Sequence, residues 1–497
     1  MTQPAAAPDT TLSPGLKDAL TSPRLFLRES LAGIVTALAL VPEVISFSFI
    51  SGVDPKSALV ASIVLCLTLS FFGGRPAMVT AAAGSIALVI GPMVKTFGAG
   101  YILPTLVLAG VIQITFGLLG LSRLMRFVPR SVMLGFVNGL GILIFAAQMP
   151  HLIGVPVAVY PLFALTIAIV LLAPRFITAI PAPLIAIAVV TLVTVAAVPG
   201  VPDVGSQGPM GSGLPGFLTL TVPLSLETLK IIWPAALSVA FVGLLETLLT
   251  AKLVDEMTDT RSHKGQESCA LGLANILSGF YGGIGGCAMI GQTVVNVKIG
   301  AARTRLSTIV AGLVLLALVT VLSSVMAKIP LVALAAVMMI VAVKTVNWHS
   351  VSPATLKRMP WSETSVLAVT TALTVATGNL ALGIGAGVLL AIVLFARRVA
   401  HVVRVERTVS TDGETALYYV HGPLFFASSN DLVERFSYGI DPRRIVIDLT
   451  HAQIWDASTV AALDSIETRY RDHGATVHFT GLDARSASFH EKLSGTL

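Results

Sequence analysis

Residues 281–300 read YGGIGGCAMIGQTVVNVKIG, and residues 78–95 read MVTAAAGSIALVIGPMVK. Both are apolar, yet both are too short and too rich in glycine for an ordinary helix across ~30 Å of hydrocarbon. Each is the third apolar segment of its half of the chain. Interrupted spans at matching positions of two halves point to a carrier's binding site, because a broken helix leaves free N–H groups aimed at a ligand. Gly282, Gly283, Gly285 and Gly286 could serve close helix packing, as small residues do in membranes. A GGIGG run exceeds what a packing face needs, so it predicts a break. A half-helix running from Cys287 to Gly300 would then offer unpaired N–H groups and about half a positive charge at its start. Thr80–Gly84 would do the same from the other side. Two such ends facing each other suit an anion and require no formal positive charge.

The surrounding chain supports a membrane setting. Its 497 residues are 55% hydrophobic and 12% charged, and the mean hydropathy is +0.86. A soluble protein would carry about twice that charged fraction. Fourteen apolar segments can be placed between residues 30 and 397. With both termini on the cytoplasmic side, only Lys56, Lys95, Lys230 and Lys328 fall on the outer side, which fits the positive-inside rule. The net charge of +6 therefore reads as topology and gives no sign of nucleic acid. Residues 1–28 carry no signal peptide and read as a cytoplasmic tail.

Residues 199–230, dense in Pro and Gly, cannot form a helix interior and divide the membrane region (29–400) into 29–198 and 231–400. Seven segments per half force the second half to be inverted relative to the first, which places the broken third and tenth segments face to face near the midplane. After Arg397-Arg398 the character changes. Residues 405–497 are polar and read as a small α/β domain. Strands are predicted at Ala416–Val420, Ile445–Leu449 and Thr476–Thr480, and helices at Ser458–Arg471 and Ala484–Leu493.

Two carboxylates lie inside predicted spans. Glu43 follows Pro42 in the first, and Glu246 lies in the eighth. A carboxylate at the bilayer centre costs about 2.5–3.5 kcal/mol on insertion scales, so it needs a cavity, a partner or a proton. Either could instead cap a broken helix or bond a neighbouring span. Pro42 favours function for Glu43, since it interrupts the backbone ladder beside it. Cys66, Cys269 and Cys287 lie in apolar segments without a CxxC or a nearby His, and read as packing residues with no disulfide or metal site. Asp456-Ala457-Ser458 opens a helix, where an N-cap is the plain reading and a regulatory site the alternative. Nothing resembles a phosphate-binding loop, a dinucleotide fingerprint or a hydrolase triad, so neither an enzyme nor a cofactor is expected.

At these residues the chain resembles the sulfate permease (SulP) family of anion transporters, over nearly its whole length. Val41-Pro42-Glu43 through Phe47, with Gly52-Val53-Asp54-Pro55, resembles the family's opening motif. Gln266-Glu267, Ala270-Leu271-Gly272 and Asn275 through Phe280 to Asn296 resemble its most specific block. Ile445-Val446-Ile447-Asp448 and Asp456 to Ser458 are similar to the central strand and turn of the STAS domain that ends these transporters. The resemblance implies an elevator carrier, often a homodimer, in a plasma (inner) membrane. Segments 1–4 and 8–11 would hold the substrate, 5–7 and 12–14 would form the gate, and STAS would be cytoplasmic. By position, Glu43, Phe47, Ala83, Gly84, Gly291 and Gln292 would line the site with Glu246 beside it.

Two departures bear on chemistry. Many members carry Arg where this chain has Gln292, and many carry Gly-Pro before the third segment's half-helix, where this chain has Thr80–Ala83. Without that Arg, and with Glu43 present, proton symport of a dicarboxylate, bicarbonate or sulfate is favoured over chloride exchange. Glu43 or Glu246 would take the proton. An exchanger or channel of the same family, a nucleobase–proton symporter of the same fold group, and a membrane sensor signalling through STAS are the alternatives.

Overall fold

The computed structural model of the chain describes residues 15–121, 128–177, 180–198, 200–208, 216–223, 225–400 and 403–495. Residues 1–14 of the N-terminal tail, 122–127, 178–179, positions 199, 209–215 and 224 of the Pro/Gly linker, 401–402 and 496–497 lie outside the described residues.

Long apolar helices follow one another through the first part of the chain. They are α1 (Pro23–Ser51), α2 (Pro55–Phe72), α3 (Gly84–Phe97), α4 (Ile102–Leu118), α5 (Arg130–Gln148), α6 (Val159–Leu172) and α7 (Ala182–Ala197). After the linker come α8 (Leu226–Thr258), α9 (Lys264–Phe280), α10 (Ile290–Val294), α11 (Arg305–Val321), α12 (Leu331–Thr345), α13 (Trp361–Thr377) and α14 (Leu380–Ala400). Their ends are set by familiar chemistry. Ser225 caps α8, its hydroxyl accepting the Thr228 N–H at 3.1 Å. Gly52 ends α1 and Gly378 ends α13 in the left-handed conformation that favours glycine. α1 runs on through Pro42, which has no N–H to donate to the Leu38 carbonyl, and the Ser46 hydroxyl donates to the Pro42 carbonyl at 2.9 Å. Among the described residues, six helices reach the length and hydropathy of a membrane crossing by themselves, α1, α2, α8 and α14 included.

The helices sort into two packed sets. α1–α4 pack with α8–α11, α5–α7 pack with α12 and α13, and Gly383 and Gly387 at the start of α14 lie against Thr370 and Thr374 of α13. Small residues allow the closest approaches. A Cβ on Gly110 of α4 would lie 2.5 Å from the Gly272 carbonyl of α9, and one on Gly272 would lie 2.5 Å from the Gly110 carbonyl. The two backbones therefore touch.

The broken segments contain a feature absent from the sequence reading. Thr80–Ala82 forms a strand, β1, and Gly286–Ala288 forms β2, paired antiparallel with Ala81 opposite Cys287. Gly286 is obligatory there, because a Cβ would fall 2.0 Å from the Ala81 carbonyl. Cys287 is consequently extended, and the half-helix expected from that residue begins at Ile290. It is short, passing into a π-turn at Val295–Ile299.

The chain divides into two compact units at Gly387/Val388, within the continuous helix α14. The second unit contains a sheet in the order β3 (Arg404–Val409), β4 (Thr415–Leu424), β5 (Arg444–Ile454), β6 (Thr476–Thr480). β3 and β4 are antiparallel, while β4, β5 and β6 run parallel. Helices α15 (Phe426–Glu434), α16 (Ala457–Asp472) and α17 (Ala484–Leu493) accompany it. Alternate residues of β4 and β5, including Tyr418, Val420, Ile445 and Ile447, form its core with Leu463 and Ile466 of α16. β3 and α15 were not expected. β3 is almost wholly exposed and polar, and α15 is short and rich in Ser and Asn, so neither carries a clear apolar period.

Candidate functional site

The site forms where β1 and β2 meet and two helices begin. Ala83 precedes α3 at φ −118°, ψ 144°, and Met289 precedes α10 at φ −86°, ψ 111°. Both are extended, and neither side chain caps its helix. Four backbone N–H groups in and beside the strands are satisfied by neighbouring side chains, as burial in an apolar region requires. The Ala82 N–H donates to Ser62 Oγ at 3.1 Å, Gly286 N–H to Asn275 Oδ1 at 2.8 Å and Ala288 N–H to Thr247 Oγ1 at 3.0 Å. Val79 N–H donates to Thr293 Oγ1 at 3.0 Å.

Around this frame stand the residues expected from the sequence. Glu43, partly buried in α1, lies beside the Gln292 side chain in the first turn of α10. One turn further along α1, the buried Phe47 ring lies so close to Gly84 that a Cβ there would meet Cε1 at 2.6 Å. Ala83 is buried between β1 and α3. Gly291 is exposed, with open space where a side chain would stand, and Gln292 beside it is buried. In α8, the buried Glu246 accepts hydrogen bonds at Oε2 from Ser85 Oγ and Cys287 Sγ, each 2.6 Å away.

The contacts cross between halves. Glu43 of the first half meets α10 of the second, and Glu246 of the second half meets Ser85 of α3 in the first. Sequence reading missed Ser85 and took Cys287 for a packing residue. The structure corrects the latter, since the thiol is a donor to Glu246. Cys66 and Cys269 donate to the carbonyls of Thr308 and Ile114 instead, and all three are free thiols. A cavity of about 550 Å³, lined by Phe49, Asp54, Lys95 and His151 among others, lies toward the C-terminal ends of α1 and α3.

In the second unit Asp456 is fully engaged. Its Oδ1 accepts the Thr459 N–H at 3.1 Å, capping α16, and its Oδ2 accepts the Phe426 N–H at 2.6 Å. Ser458 is exposed beside a groove of about 650 Å³ between α15 and α16.

These features define a helical membrane protein with broken helices converging on a midchain site and a terminal α/β sheet domain. The chain belongs to the sulfate permease family, whose model matches residues 26–161 and 155–370, and the STAS domain matches residues 406–493. It is 46% identical over 467 residues to YbaR of Bacillus subtilis (strain 168), provisionally named a sulfate transporter, covering 94% of this chain and 97% of YbaR. It is 25% identical over 518 residues to the bicarbonate transporter BicA of a Picosynechococcus species, covering 93% of this chain and 89% of BicA. In fold it is similar to the murine Slc26a9 anion transporter in its inward-facing state, with a TM-score of 0.82 at 17% identity over 94% of this chain and 87% of that one. The transmembrane domain of a cyanobacterial BicA gives 0.64 at 23% identity, covering 75% of this chain and 98% of that one.

Proposed function

We propose that the protein is a secondary active carrier that moves a small anion together with a proton. The observation that carries this reading is the placing of Glu43 beside the neutral Gln292 near the start of α10. Attraction for an anion there comes from the helix starts of α3 and α10 and from free N–H groups. Glu43 opposes it. Two unit charges 4 Å apart repel by about 4 kcal/mol at an effective dielectric of 20, enough to exclude an anion from an ionised site. Protonation of Glu43 removes that repulsion, so the proton travels with the substrate. Glu246, held by Ser85 and Cys287, is the second candidate for the proton.

In this reading fourteen segments span the plasma membrane with both termini cytoplasmic. The set α1–α4 with α8–α11 carries the site past the set α5–α7 with α12–α14 in an elevator movement. In this reading the protein works as a homodimer, and the exposed Leu389, Ile392 and Phe395 of α14 face lipid or the partner. Ser458 is a candidate regulatory position. The substrate classes favoured are dicarboxylate, bicarbonate and sulfate, the last two being those named for BicA and YbaR. A competition panel in liposomes at two pH values, with fumarate, succinate, bicarbonate, sulfate and chloride, tests the choice. Displacement of labelled substrate by a dicarboxylate or oxyanion supports the reading, and displacement by chloride alone contradicts it.

A further inference from the structure

Strand β2 has a backbone neighbour on one edge only. Residues Ala82 and Gly286, and likewise Thr80 and Ala288, are opposed in register, yet the N–H groups of Ala82, Gly286 and Ala288 bond to side chains outside the pair. An uncovered strand edge inside an apolar region is unstable unless its polar groups find partners. At Gly286 one side chain supplies both. Asn275 Oδ1 accepts the Gly286 N–H at 2.8 Å, and Asn275 Nδ2 donates to the Gly286 carbonyl at 3.3 Å. A carboxamide presents the same donor and acceptor as a peptide group, so Asn275 stands where a third strand would. Its second amide proton goes to Gln113 Oε1 at 2.9 Å. Both residues are fully buried. The contact of α4 with α9 at Gly110 and Gly272 brings them together.

We propose that Asn275, braced by Gln113, is a positioning residue that fixes β2 and thereby sets Gln292 and the start of α10 at the anion site. Gly286 is only six positions before Gln292, and the intervening residues are held at Cys287 by Glu246 and at Ala288 by Thr247. Gly286 has no side chain to anchor it, so loss of the carboxamide frees the end of the strand where the chain enters. Binding sites built on oriented backbone groups lose affinity steeply when displaced by about 1 Å. The inference rests on the placing of the anion between α3 and α10.

The test is Asn275→Ala in the full chain, with Gln113→Met as a milder variant that keeps the grip on Gly286 and removes its brace together with the 3.5 Å bond from Gln113 Nε2 to the Ala240 carbonyl. Hydrogen–deuterium exchange of the peptide containing Gly286 should accelerate in both. The KM for anion uptake should rise about tenfold in Asn275→Ala and less in Gln113→Met, with Vmax changed far less. Asn275→Asp, which retains the acceptor for the Gly286 N–H, should recover part of the exchange protection. Unchanged KM in both variants, while Gln292→Ala raises it, overturns the inference. Unchanged KM in all three overturns the placing of the anion itself. If Asn275→Ala does not fold, Gln113→Met decides alone, and an unaltered exchange rate and KM in that variant overturn the proposal.

Discussion

Adding one methyl group at Gly84 would set a carbon 2.6 Å from Cε1 of Phe47, well inside van der Waals contact. Such overpacking costs about 1–3 kcal/mol. Gly84→Ala should therefore lower the unfolding temperature in detergent and impair uptake, and Phe47→Leu in the same chain should restore stability by vacating the space. If Gly84→Ala is as stable and active as wild type, the close packing of α1 on α3 is wrong. At this scale the sequence was partly legible. Glu43 and Glu246 stood out because carboxylates are costly in apolar segments. Ser85 did not, because its hydroxyl gains meaning only from a carboxylate 161 residues away. Cys287 was misread for the same reason, its small apolar character concealing a hydrogen bond to Glu246.

At the scale of elements, the breaks were legible in the glycine runs, whereas the strands filling them were not. Three residues are too few for an alternating pattern to appear, and pairing between β1 and β2 is a long-range event. The loop leading into β1 is fixed in turn by Arg75, whose guanidinium pairs with Asp255 of α8 at 2.9 Å with only 2% of its side chain exposed. Removing one partner of a buried pair strands the other, at a cost of about 3 kcal/mol or more. Asp255→Ala should accordingly destabilise the protein strongly, with Arg75→Leu/Asp255→Ala less affected than the single variant when melted in detergent. Equal stability of Asp255→Ala and wild type would contradict the pair's role.

The terminal sheet has its own buried node. Asp441 accepts hydrogen bonds from Tyr418, Tyr470 and Arg407. Burial, then the bond to Asp441, pushes the Tyr470 phenol far above its ordinary value. The folded state thus holds the phenolic proton more tightly than the unfolded chain. The resulting stabilisation is complete below about pH 10 and is lost as pH rises beyond that ordinary phenol value. Alkaline titration should show at least one tyrosinate appearing only with unfolding of this unit, and Tyr470→Phe should flatten the pH dependence. Titration of every tyrosine while the unit is still folded would contradict it.

For the whole molecule, the sorting of α1–α4 with α8–α11 against α5–α7 with α12–α14 is what gives the site its crossed contacts. Each carboxylate comes from one half and its half-helix partner from the other. That arrangement follows from the order of apolar helices on either side of a Pro/Gly linker, which is why the helical membrane fold and the terminal STAS domain could be read from composition, charge and resemblance. The terminal domain was legible through the alternating strands β4 and β5 but not through the exposed β3 or the short α15, which gain their structure from the sheet they complete. The coupling of proton to anion is the central claim. Its most direct measurement is labelled-anion uptake into liposomes holding the purified protein, with and without an acidic exterior. Wild type should accumulate anion only when the outside is acidic, and Glu43→Gln should bind or exchange the anion with no response to the pH gradient. Uptake unaffected by the gradient in both proteins would contradict the account.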